Sequence, residues 1–289
     1  MLIVDSGATK AEWCLVRDGK VVHRYKGKGI TPVYQTFEEM VREIKEQVLP
    51  QFKEAQIRAM HFYGSGCVPE KVPIVREVLQ TSFPLDSIEV HSDLIAAARA
   101  LCGNKPGIPC ILGTGSNSCE WDGHQVVKQI PSLGFILGDE GSGASLGKQL
   151  LADALKERLT EGLKEALLEE YRLTPALVID RVYRQPFPSR FLASLTPFLL
   201  KHIDDPTIRR IVRESFSAFF ERNVMKYNYH ENSVHFVGSI AWHHEATLRE
   251  VASEKGIEVG TITPSPMDGL IAFHNGERGK RESKTTKNR

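Results

Sequence analysis

The sequence lacks the features of a membrane protein and of a protein with a broad basic surface. It contains no run of about 18 apolar residues, the length that a membrane-spanning helix needs. Its best apolar stretch, 191–200, is interrupted by Ser194, Thr196 and Pro197. The 37 Lys and Arg residues nearly balance the 36 Asp and Glu residues, which gives a formal net charge of +1. We therefore expect no membrane span and no nucleic-acid partner.

Cysteine is scarce, and its spacing forms no metal-binding pattern. The five cysteines are an odd set without a Cys-x-x-Cys pair, which indicates reduced thiols rather than a disulfide framework or a zinc site. The apolar start, Met1 to Val4, runs directly into Asp5 and is too short for the core of a signal peptide. These absences predict a cytoplasmic protein, and the length of 289 residues predicts about two domains.

The first part of the chain predicts an α/β lobe with the element order βββαβαβα. Three β-rich runs come first, and Asp18-Gly19 between the second and third is a strong hairpin signal. Thr36 followed by Glu39 is typical of a capping box at the start of the first helix. The turn-rich segment 103–107 predicts a hinge, so this lobe is expected to span residues 1–107.

The rest of the chain, residues 108–289, predicts a second lobe in which the same order begins again. Three strands are followed by helical patterns over about 142–229, and a βαβα series comes after them. The helices at about 150–230 would then be an insertion into a second copy of the first topology. The tail from Gly276 is basic and polar, and we expect it to fray.

Two glycine-rich turns stand at matching places of the predicted lobes. Asp5-Ser-Gly-Ala-Thr9 follows the first strand, and Gly113-Thr-Gly-Ser-Asn117 follows the first strand of the second copy. Backbone N–H groups and Thr hydroxyls of such turns bind phosphate, and Asp5 could hold Mg²⁺ through water. Either turn alone is weak evidence, because glycine-rich hairpins without a ligand are common. The matched pair predicts a phosphate clamp.

With these turns in place, the chain resembles the actin-like ATPase superfamily, which includes sugar kinases, actin and heat-shock ATPases. Within it, the chain is similar to the N-acetylglucosamine kinase branch, which shares a broader family with the activator ATPases of benzoyl-CoA reductase and 2-hydroxyacyl-CoA dehydratase. The resemblance implies a duplicated ribonuclease H-like fold in the α/β class. The matching segments are Asp5-Ser-Gly-Ala-Thr9-Lys10, Ser92-Asp93, Leu112-Gly-Thr-Gly-Ser-Asn117 and Gly138-Asp-Glu-Gly-Ser142.

The resemblance implies ATP and Mg²⁺ as cofactors, with Asp5 organising the metal. It also places the glycine of Val237-Gly238-Ser239 against the adenosine; the alternative is a plain strand-to-helix turn capped by Ser239. The Gly-Ala pair expected near the last helix is Gly269-Leu270 here. The residues implied to bind ATP are Asp5, Gly7, Thr9, Lys10, Gly113, Thr114, Gly115, Gly238 and Ser239.

For the sugar, the resemblance implies that Asp93 is the general base on the 6-hydroxyl and that Asp139 binds sugar hydroxyls. The alternative for both is helix capping, by Ser92 or Asp93 in one case and with Ser142 as the better cap in the other. Relatives often have Asn-Pro where this chain has Thr31-Pro32, and Gly-Trp-Gly where it has Ser132-Leu-Gly134. The implied substrate-binding residues are Thr31, Asp93, Ser116, Asn117, Ser132, Leu133, Gly134 and Asp139.

We therefore expect an ATP-dependent kinase of an N-acetylated amino sugar, either N-acetylglucosamine or a relative such as N-acetylmuramic acid. Its lobes would close on both substrates, and relatives suggest a homodimer. One alternative is an activator ATPase with an iron–sulfur cluster, for which the chain offers Cys102, Cys110 and Cys119. A nucleotide-responsive module without catalysis is the third possibility.

Overall fold

A computed structural model describes residues 1–53, 55–85 and 87–286 of the chain, with side chains described as far as residue 276. Ten strands lie in that part of the chain: β1 (Leu2–Ser6), β2 (Lys10–Arg17), β3 (Lys20–Lys28), β4 (Ala59–Gly64), β5 (Ser87–Ser92), β6 (Ile108–Leu112), β7 (Ser116–Trp121), β8 (Val126–Gln129), β9 (Val234–Val237) and β10 (Val259–Thr263).

The helices of the described residues are, in chain order, α1 (Phe37–Glu43), α2 (Val72–Ser82), α3 (Asp93–Leu101), α4 (Gly134–Leu137), α5 (Gly143–Leu155), α6 (Leu163–Glu170), α7 (Pro175–Tyr183), α8 (Pro188–Ala193), α9 (Thr196–Lys201), α10 (Pro206–Arg222), α11 (Ser239–His243), α12 (Glu245–Glu254) and α13 (Met267–Thr286). A π-helical segment (Ile44–Val48) and two 3₁₀ segments (Leu49–Phe52 and Val224–Lys226) complete them. None of these helices combines the length and apolar character that crossing a bilayer requires.

The chain forms two compact units. Unit 1 is Met1–Asn104 together with the segment that begins at Ser265, and unit 2 is Lys105–Pro264. The break between residues 104 and 105 falls inside the predicted hinge.

The last helix was expected in the second lobe, but it belongs to unit 1. Met267 and Leu270 of α13 are buried in one cluster with Ile3 of β1 and Tyr63 of β4, and the Tyr63 hydroxyl lies 2.8 Å from Nε2 of His274. Helix α13 packs here because its apolar residues complete the core on one face of the unit 1 sheet. Its backbone is helical to Thr286, residues 287–289 lie outside the described residues, and fraying from residue 276 stays a prediction.

The two sheets have the same topology, as the predicted repeat requires. In unit 1 the strand order is β3-β2-β1-β4-β5, and in unit 2 it is β10-β9-β6-β7-β8, which is the same order read from the other edge. In each sheet the first three strands are antiparallel neighbours, and the remaining two run parallel to the first. The repeated α/β architecture is confirmed at the level of strand order.

Local sequence signals account for several boundaries. Asp18 and Gly19 both have positive φ, 46° and 77°, as a two-residue hairpin turn with a right-handed strand twist requires. Thr36 and Glu39 form the expected capping box at α1. The helical segment after β9 is divided into α11 and α12 at His244, whose buried ring packs edge-on against Phe216.

The helices between β8 and β9 give unit 2 most of its core. Phe216, Phe219 and Phe220 of α10 are fully buried, and the last two pack against Phe236 of β9. Each buried phenylalanine contributes about 1.5–3 kcal/mol of transfer free energy. Helix α10 is therefore fixed firmly to the sheet, which matters for the loop that it supports below.

Candidate functional site

In unit 1, Asp5 lies near the end of β1 among other acidic groups. It is paired in register with Glu12 on β2 and with Tyr63 on β4. Burial, and after it the nearby carboxylates of Asp93 and Glu12, raise the pKa of Asp5 to about 7, while Lys10 acts in the opposite direction. A group of like charges with this little solvent favours a bound cation, because a cation offsets the cost of ionising Asp5.

The turn after β1 is braced by the segment that follows β3. The Gly7 N–H donates to the Lys10 carbonyl at 2.9 Å, and the Thr9 carbonyl accepts from Gly29 at 3.2 Å. The buried Ser6 hydroxyl donates to the carbonyl of Ile30 at 2.9 Å and accepts from its N–H at 2.8 Å. The turn thus has a fixed shape, while Thr9 and Lys10 remain exposed.

Asp93 is the first residue of α3, and the capping of that helix is carried out by its neighbour. The Ser92 hydroxyl accepts the N–H of Ile95 at 3.4 Å. Burial raises the pKa of Asp93 to about 6, against hydrogen bonds from the Leu94 N–H and the Ser65 hydroxyl, which lower it. No sequence motif assigned a role to Ser65, although the glycines on both sides of it are typical of a tight turn after a strand.

The structure encloses Thr31 instead of presenting its hydroxyl to solvent. Thr31 is 2% exposed. Its hydroxyl donates to the Ser65 carbonyl at 3.0 Å, and its N–H donates to Oε1 of Gln35 at 2.8 Å. Thr31 therefore contacts the backbone of the residue whose side chain holds Asp93, and its polar groups are already satisfied.

In unit 2, the turn between β6 and β7 is hydrogen-bonded to the first residues of α5. The Gly113 N–H closes the turn on the Gly115 carbonyl at 3.0 Å. The carbonyls of Gly113 and Thr114 accept from the N–H groups of Gly143 and Ala144 at 2.8 and 3.0 Å. The N–H groups of Thr114 and Gly115 donate to no acceptor within the described residues. Two adjacent amides of this kind form an anion-binding nest.

Asp139 joins this turn to the segment before α4. It is 8% exposed, and its φ of 55° lies in the left-handed region, which aspartate tolerates better than most residues. Its Oδ1 accepts the Ser116 N–H at 3.1 Å, and its own N–H donates to the Ser132 carbonyl at 2.9 Å. Burial raises its pKa, and the bond from Ser116 opposes the rise. The cap of α5 is Ser142, whose hydroxyl accepts the Ser145 N–H at 3.1 Å.

The remaining predicted sugar contacts lie on β7 and at the start of α4, and their surroundings differ. Ser116 and Asn117 are neighbours on β7, so their side chains point to opposite faces of the sheet. The Asn117 Oδ1 accepts from Ser118 N–H at 3.0 Å and from Gln129 Nε2 at 3.1 Å. Leu133 is 62% exposed with a φ of 62°, and Gly134 begins the short α4 behind it.

Helix α10 supports the segment around Asp139, and no sequence motif indicated this. Glu140 pairs with Arg222 at 2.9 Å, and the Gly141 N–H donates to the Ser215 hydroxyl at 3.1 Å. Both partners are on the helix whose phenylalanines fix it to the sheet. One of the predicted inserted helices therefore supports the segment that carries Asp139.

The two segments implied to lie near the adenosine, Gly238-Ser239 and Gly269-Leu270, are in different units. A Cβ on Gly238, whose φ is 126°, would lie 2.3 Å from the Leu112 carbonyl oxygen and 3.2 Å from the Gly113 nitrogen, so this glycine permits contact with the phosphate turn. Ser239 is the first residue of α11 and provides no cap. Gly269 packs against the backbone of Ala100 and its neighbour Leu270 is fully buried, so that pair is part of the unit 1 core.

No group of three or more His, Cys, Asp or Glu side chains in the described residues is arranged to hold a metal ion. A site built on Asp5 alone would suit Mg²⁺, which keeps several waters and takes its other ligands from phosphate oxygens. The cysteines do not suit an exposed cluster. Cys110 and Cys119 are fully buried on β6 and β7, and burial raises the pKa of Cys102 to about 12.

Comparison with known proteins gives relatives over the whole length of the chain. A crystal structure of a proposed N-acetylglucosamine kinase from Porphyromonas gingivalis is 46% identical, with a TM-score of 0.94 over 96% of this chain and 99% of that one. The N-acetyl-D-glucosamine kinase of Dictyostelium discoideum is 29% identical over 143 residues, which are 47% of this chain and only 45% of that protein. This chain thus matches less than half the length of that curated relative.

The fold has more distant relatives as well. MreB 5 of Spiroplasma citri is 9% identical, with a TM-score of 0.54 over 99% of this chain and 98% of that one; at this identity the match concerns the fold alone. The fold is therefore the actin-like ATPase fold that the resemblance implied. The profile of the BadF/BadG/BcrA/BcrD ATPase family matches residues 4–167, more than half of the chain, and on this ground the chain belongs to that family.

Proposed function

We propose that the protein is an ATP-dependent kinase that phosphorylates the 6-hydroxyl of an N-acetylated amino sugar, N-acetylglucosamine or a relative such as N-acetylmuramic acid. The observation that carries this proposal is the state of Asp93. Burial holds its pKa near 6, and a general base works best when its pKa is close to the operating pH. The similarity to the two kinases named above supports the sugar class.

In this reaction Asp93 accepts the proton of the acceptor hydroxyl. The Ser65 hydroxyl, which donates to the Asp93 carboxylate, fixes its orientation. Because Ser92 caps α3, the helix does not depend on the Asp93 side chain for its start. In unit 2, Asp139 accepts hydrogen bonds from sugar hydroxyls, with Ser116 and Ser132 held beside it by their bonds to it.

The residues present fit ATP and Mg²⁺. When bound, the nucleotide supplies the transferable phosphoryl group, and the metal neutralises its charge. Asp5 would hold the metal through water, since its carboxylate lies among like charges. The unpaired N–H groups of Thr114 and Gly115 would bind phosphate oxygens in unit 2, and the turn containing Gly7, Thr9 and Lys10 would do so in unit 1.

The finer assignments are proposals of the same kind. We place the protein in the cytoplasm as a homodimer, because the cysteine content indicates reduced thiols and the resembling kinases suggest two copies. Light scattering at several protein concentrations gives the mass in solution. A stable monomer would contradict the dimer without affecting the proposed reaction.

The experiment is a hexosamine panel assayed for ADP release with and without Mg²⁺, followed by NMR of the product to locate the phosphate. We expect sugar-dependent turnover and a 6-phosphate. Asp93→Asn should abolish turnover. Asp18→Asn is the matched control, because asparagine suits the same hairpin turn. ATP hydrolysis without phosphorylation of any sugar in the panel would refute the proposal, and a brown, iron-containing preparation would favour the activator alternative.

A further inference from the structure

Two pairs of side chains follow one another at the carboxyl ends of β4 and β5 in unit 1. Tyr63 is opposite His91 in the parallel register, and their rings are stacked with centroids 5.5 Å apart. Two positions further along each segment come Ser65 and Asp93, which are joined by the bond from the Ser65 hydroxyl to the Asp93 carboxyl. The bond that orients the proposed base therefore follows directly after the Tyr63–His91 pair.

The side chain of Tyr63 is held by two further elements of unit 1. Tyr63 is fully buried. Arg99 of α3 donates from Nη1 to the Tyr63 hydroxyl at 2.8 Å, and Nε2 of His274 on α13 lies 2.8 Å from the same oxygen. The guanidinium carbon of Arg99 also lies 5.7 Å from the centroid of the Tyr63 ring. A buried ring whose hydroxyl is hydrogen-bonded on two sides has little freedom to move.

The contacts of Tyr63 lie on both sides of Asp93 along the chain. His91 precedes Asp93 by two positions on β5, and Arg99 follows it by six positions on α3. A shift of α3 along β4 would change the distance between Asp93 and Ser65, and the bond from Arg99 to Tyr63 opposes that shift. Catalytic groups need to stay within about 0.5 Å of their productive geometry, so even a small shift matters.

The apolar packing of α3 leaves a place for such a directional contact. Apart from Leu94, the fully buried residues of this helix are the alanines at 96–98. Each alanine offers a single methyl group, so these residues interlock with their neighbours less than larger side chains do. The hydrogen bond from Arg99 therefore adds to the apolar packing a fixed position of α3 along β4.

We propose that Tyr63 is a positioning residue for Asp93 and keeps its carboxyl within hydrogen-bonding reach of Ser65. The Tyr63 hydroxyl does this through its contacts with Arg99 and His274. The proposal rests on the proposed function, because it takes Asp93 as the base. It also gives the last helix a part in the reaction, since His274 belongs to α13.

The test compares the pKa of the Asp93 carboxyl in the wild type and in Tyr63→Phe, measured by carbon-13 NMR on the full chain without ligands. Tyr63→Phe keeps the ring and removes the hydroxyl, so the bond from Ser65 should weaken. The pKa of Asp93 should then rise from about 6 by less than about one pH unit. For the same reason kcat/KM at pH 6 should fall by up to about fivefold, and at pH 8 it should hardly change.

The other titratable groups in this region are the same in both proteins. Two interact with Asp93, namely Asp5 and Cys67. Around Tyr63, besides Arg99 and His274, they are His61, Glu89 and His91. Burial lowers the pKa of His274 to about 3, so this ring stays neutral at pH 6. A change in the titration of Asp93 therefore reports on the lost hydroxyl.

A double variant decides whether Tyr63 acts through Ser65. If it does, Tyr63→Phe should not raise the pKa of Asp93 further in the Ser65→Ala background, whereas two independent effects would add. His274→Phe removes a partner of the hydroxyl without changing the charge at pH 6, and it should raise the pKa in the same direction. It serves as the second variant if Tyr63→Phe does not fold. Tyr25→Phe, on β3 at the other edge of the sheet, is the matched control and should titrate like the wild type.

Three results would overturn the proposal. They are an unchanged pKa of Asp93 in Tyr63→Phe, an equal rise with and without the Ser65 hydroxyl, and a loss of activity that is uniform across pH. A wild-type protein that phosphorylates no sugar would refute the kinase assignment. The NMR titration would still decide whether Tyr63 positions Asp93, because it needs neither substrate nor turnover.

Discussion

The glycine-rich turns of the two units are equivalent in topology and different in chemistry. In unit 1 the turn after β1 is accompanied by carboxylates, and burial raises the pKa values of Asp5 and Asp93 to about 7 and about 6. In unit 2 the corresponding turn offers backbone N–H groups, at Thr114 and Gly115. The groups beside the unit 1 turn therefore suit a cation or a proton, whereas the free amides of the unit 2 turn suit an anion. Two sheets with the same strand order can thus carry turns of different chemistry.

The strongest test of this comparison is the loss of the base in unit 1. Asp93→Ala should lower kcat by about 10²- to 10⁴-fold, the usual contribution of a general base, with a small change in the KM for the sugar. Steady-state kinetics against the best substrate of the panel measures this. A variant that retained more than a tenth of the wild-type kcat would contradict the role of Asp93.

The corresponding change in unit 2 should act on binding. Asp139→Ala removes the acceptor for the Ser116 N–H, and we expect the KM for the sugar to rise by about 10- to 100-fold, because a bond from a neutral donor to a charged group is worth about 1.5–3 kcal/mol. The same kinetics separate kcat from KM. A pure loss of kcat would place Asp139 in the chemical step and remove the distinction between the units.

The ionised carboxylate of Asp5 should lower the stability of the folded protein while it helps to bind Mg²⁺. Its folded pKa of about 7 exceeds the ordinary value of 3.8, so between those values the folded state binds more protons than the unfolded state, and stability decreases as the pH rises through this window. Asp5→Asn should therefore raise the Tm without ligands by a few degrees at pH 8, for a gain on the order of 1 kcal/mol. The gain should shrink at pH 5.5, and the variant should need more Mg²⁺ for turnover. A lower Tm at pH 8 would contradict the burial of a charge at this position.

The smallest expected effect is at Ser65. Its hydroxyl favours the ionised form of Asp93, so Ser65→Ala should move the acidic limb of the kcat/KM profile upward by less than about one pH unit. Activity should fall clearly near pH 6 and hardly at all above pH 8, where Asp93 is ionised in either protein. A uniform loss of activity at every pH would indicate a merely structural role. Ser87→Ala, at the exposed start of β5, is a suitable control.

Much of this arrangement could be predicted because it depends on residues close together in the chain. The hairpin at Asp18-Gly19, the capping box at Thr36 and the cap at Ser92 each involve neighbours within three positions, which leave a local signature in the sequence. The two turns were found in the same way, since each follows directly on an apolar strand. The order of strands and helices along the chain, βββαβαβα in the first lobe, was predicted from the same kind of local pattern.

The features of the candidate site that the sequence did not predict depend on contacts between residues far apart in the chain. Thr31 was assigned to the sugar by resemblance, yet its hydroxyl is satisfied by the carbonyl of Ser65, 34 positions away. The support of Glu140 by Arg222 spans 82 positions. Hydrogen bonds of this kind have no periodicity that a sequence pattern could display, so only the folded structure shows that Ser65 contacts Asp93 and that α10 contacts the segment around Asp139.

The return of α13 to unit 1 has a consequence for the order of assembly during synthesis. Met267 and Leu270 pack against Ile3, so one core is made from segments on both sides of the 105–264 unit. On the ribosome, unit 2 has all of its own strands before α13 is translated, whereas the first sheet must wait with one apolar face only partly covered by α3. A core that joins residues far apart in the chain forms slowly, and its apolar surface is exposed to solvent in the meantime. Nascent chains stalled before residue 265 should therefore be the ones that chaperones hold longest.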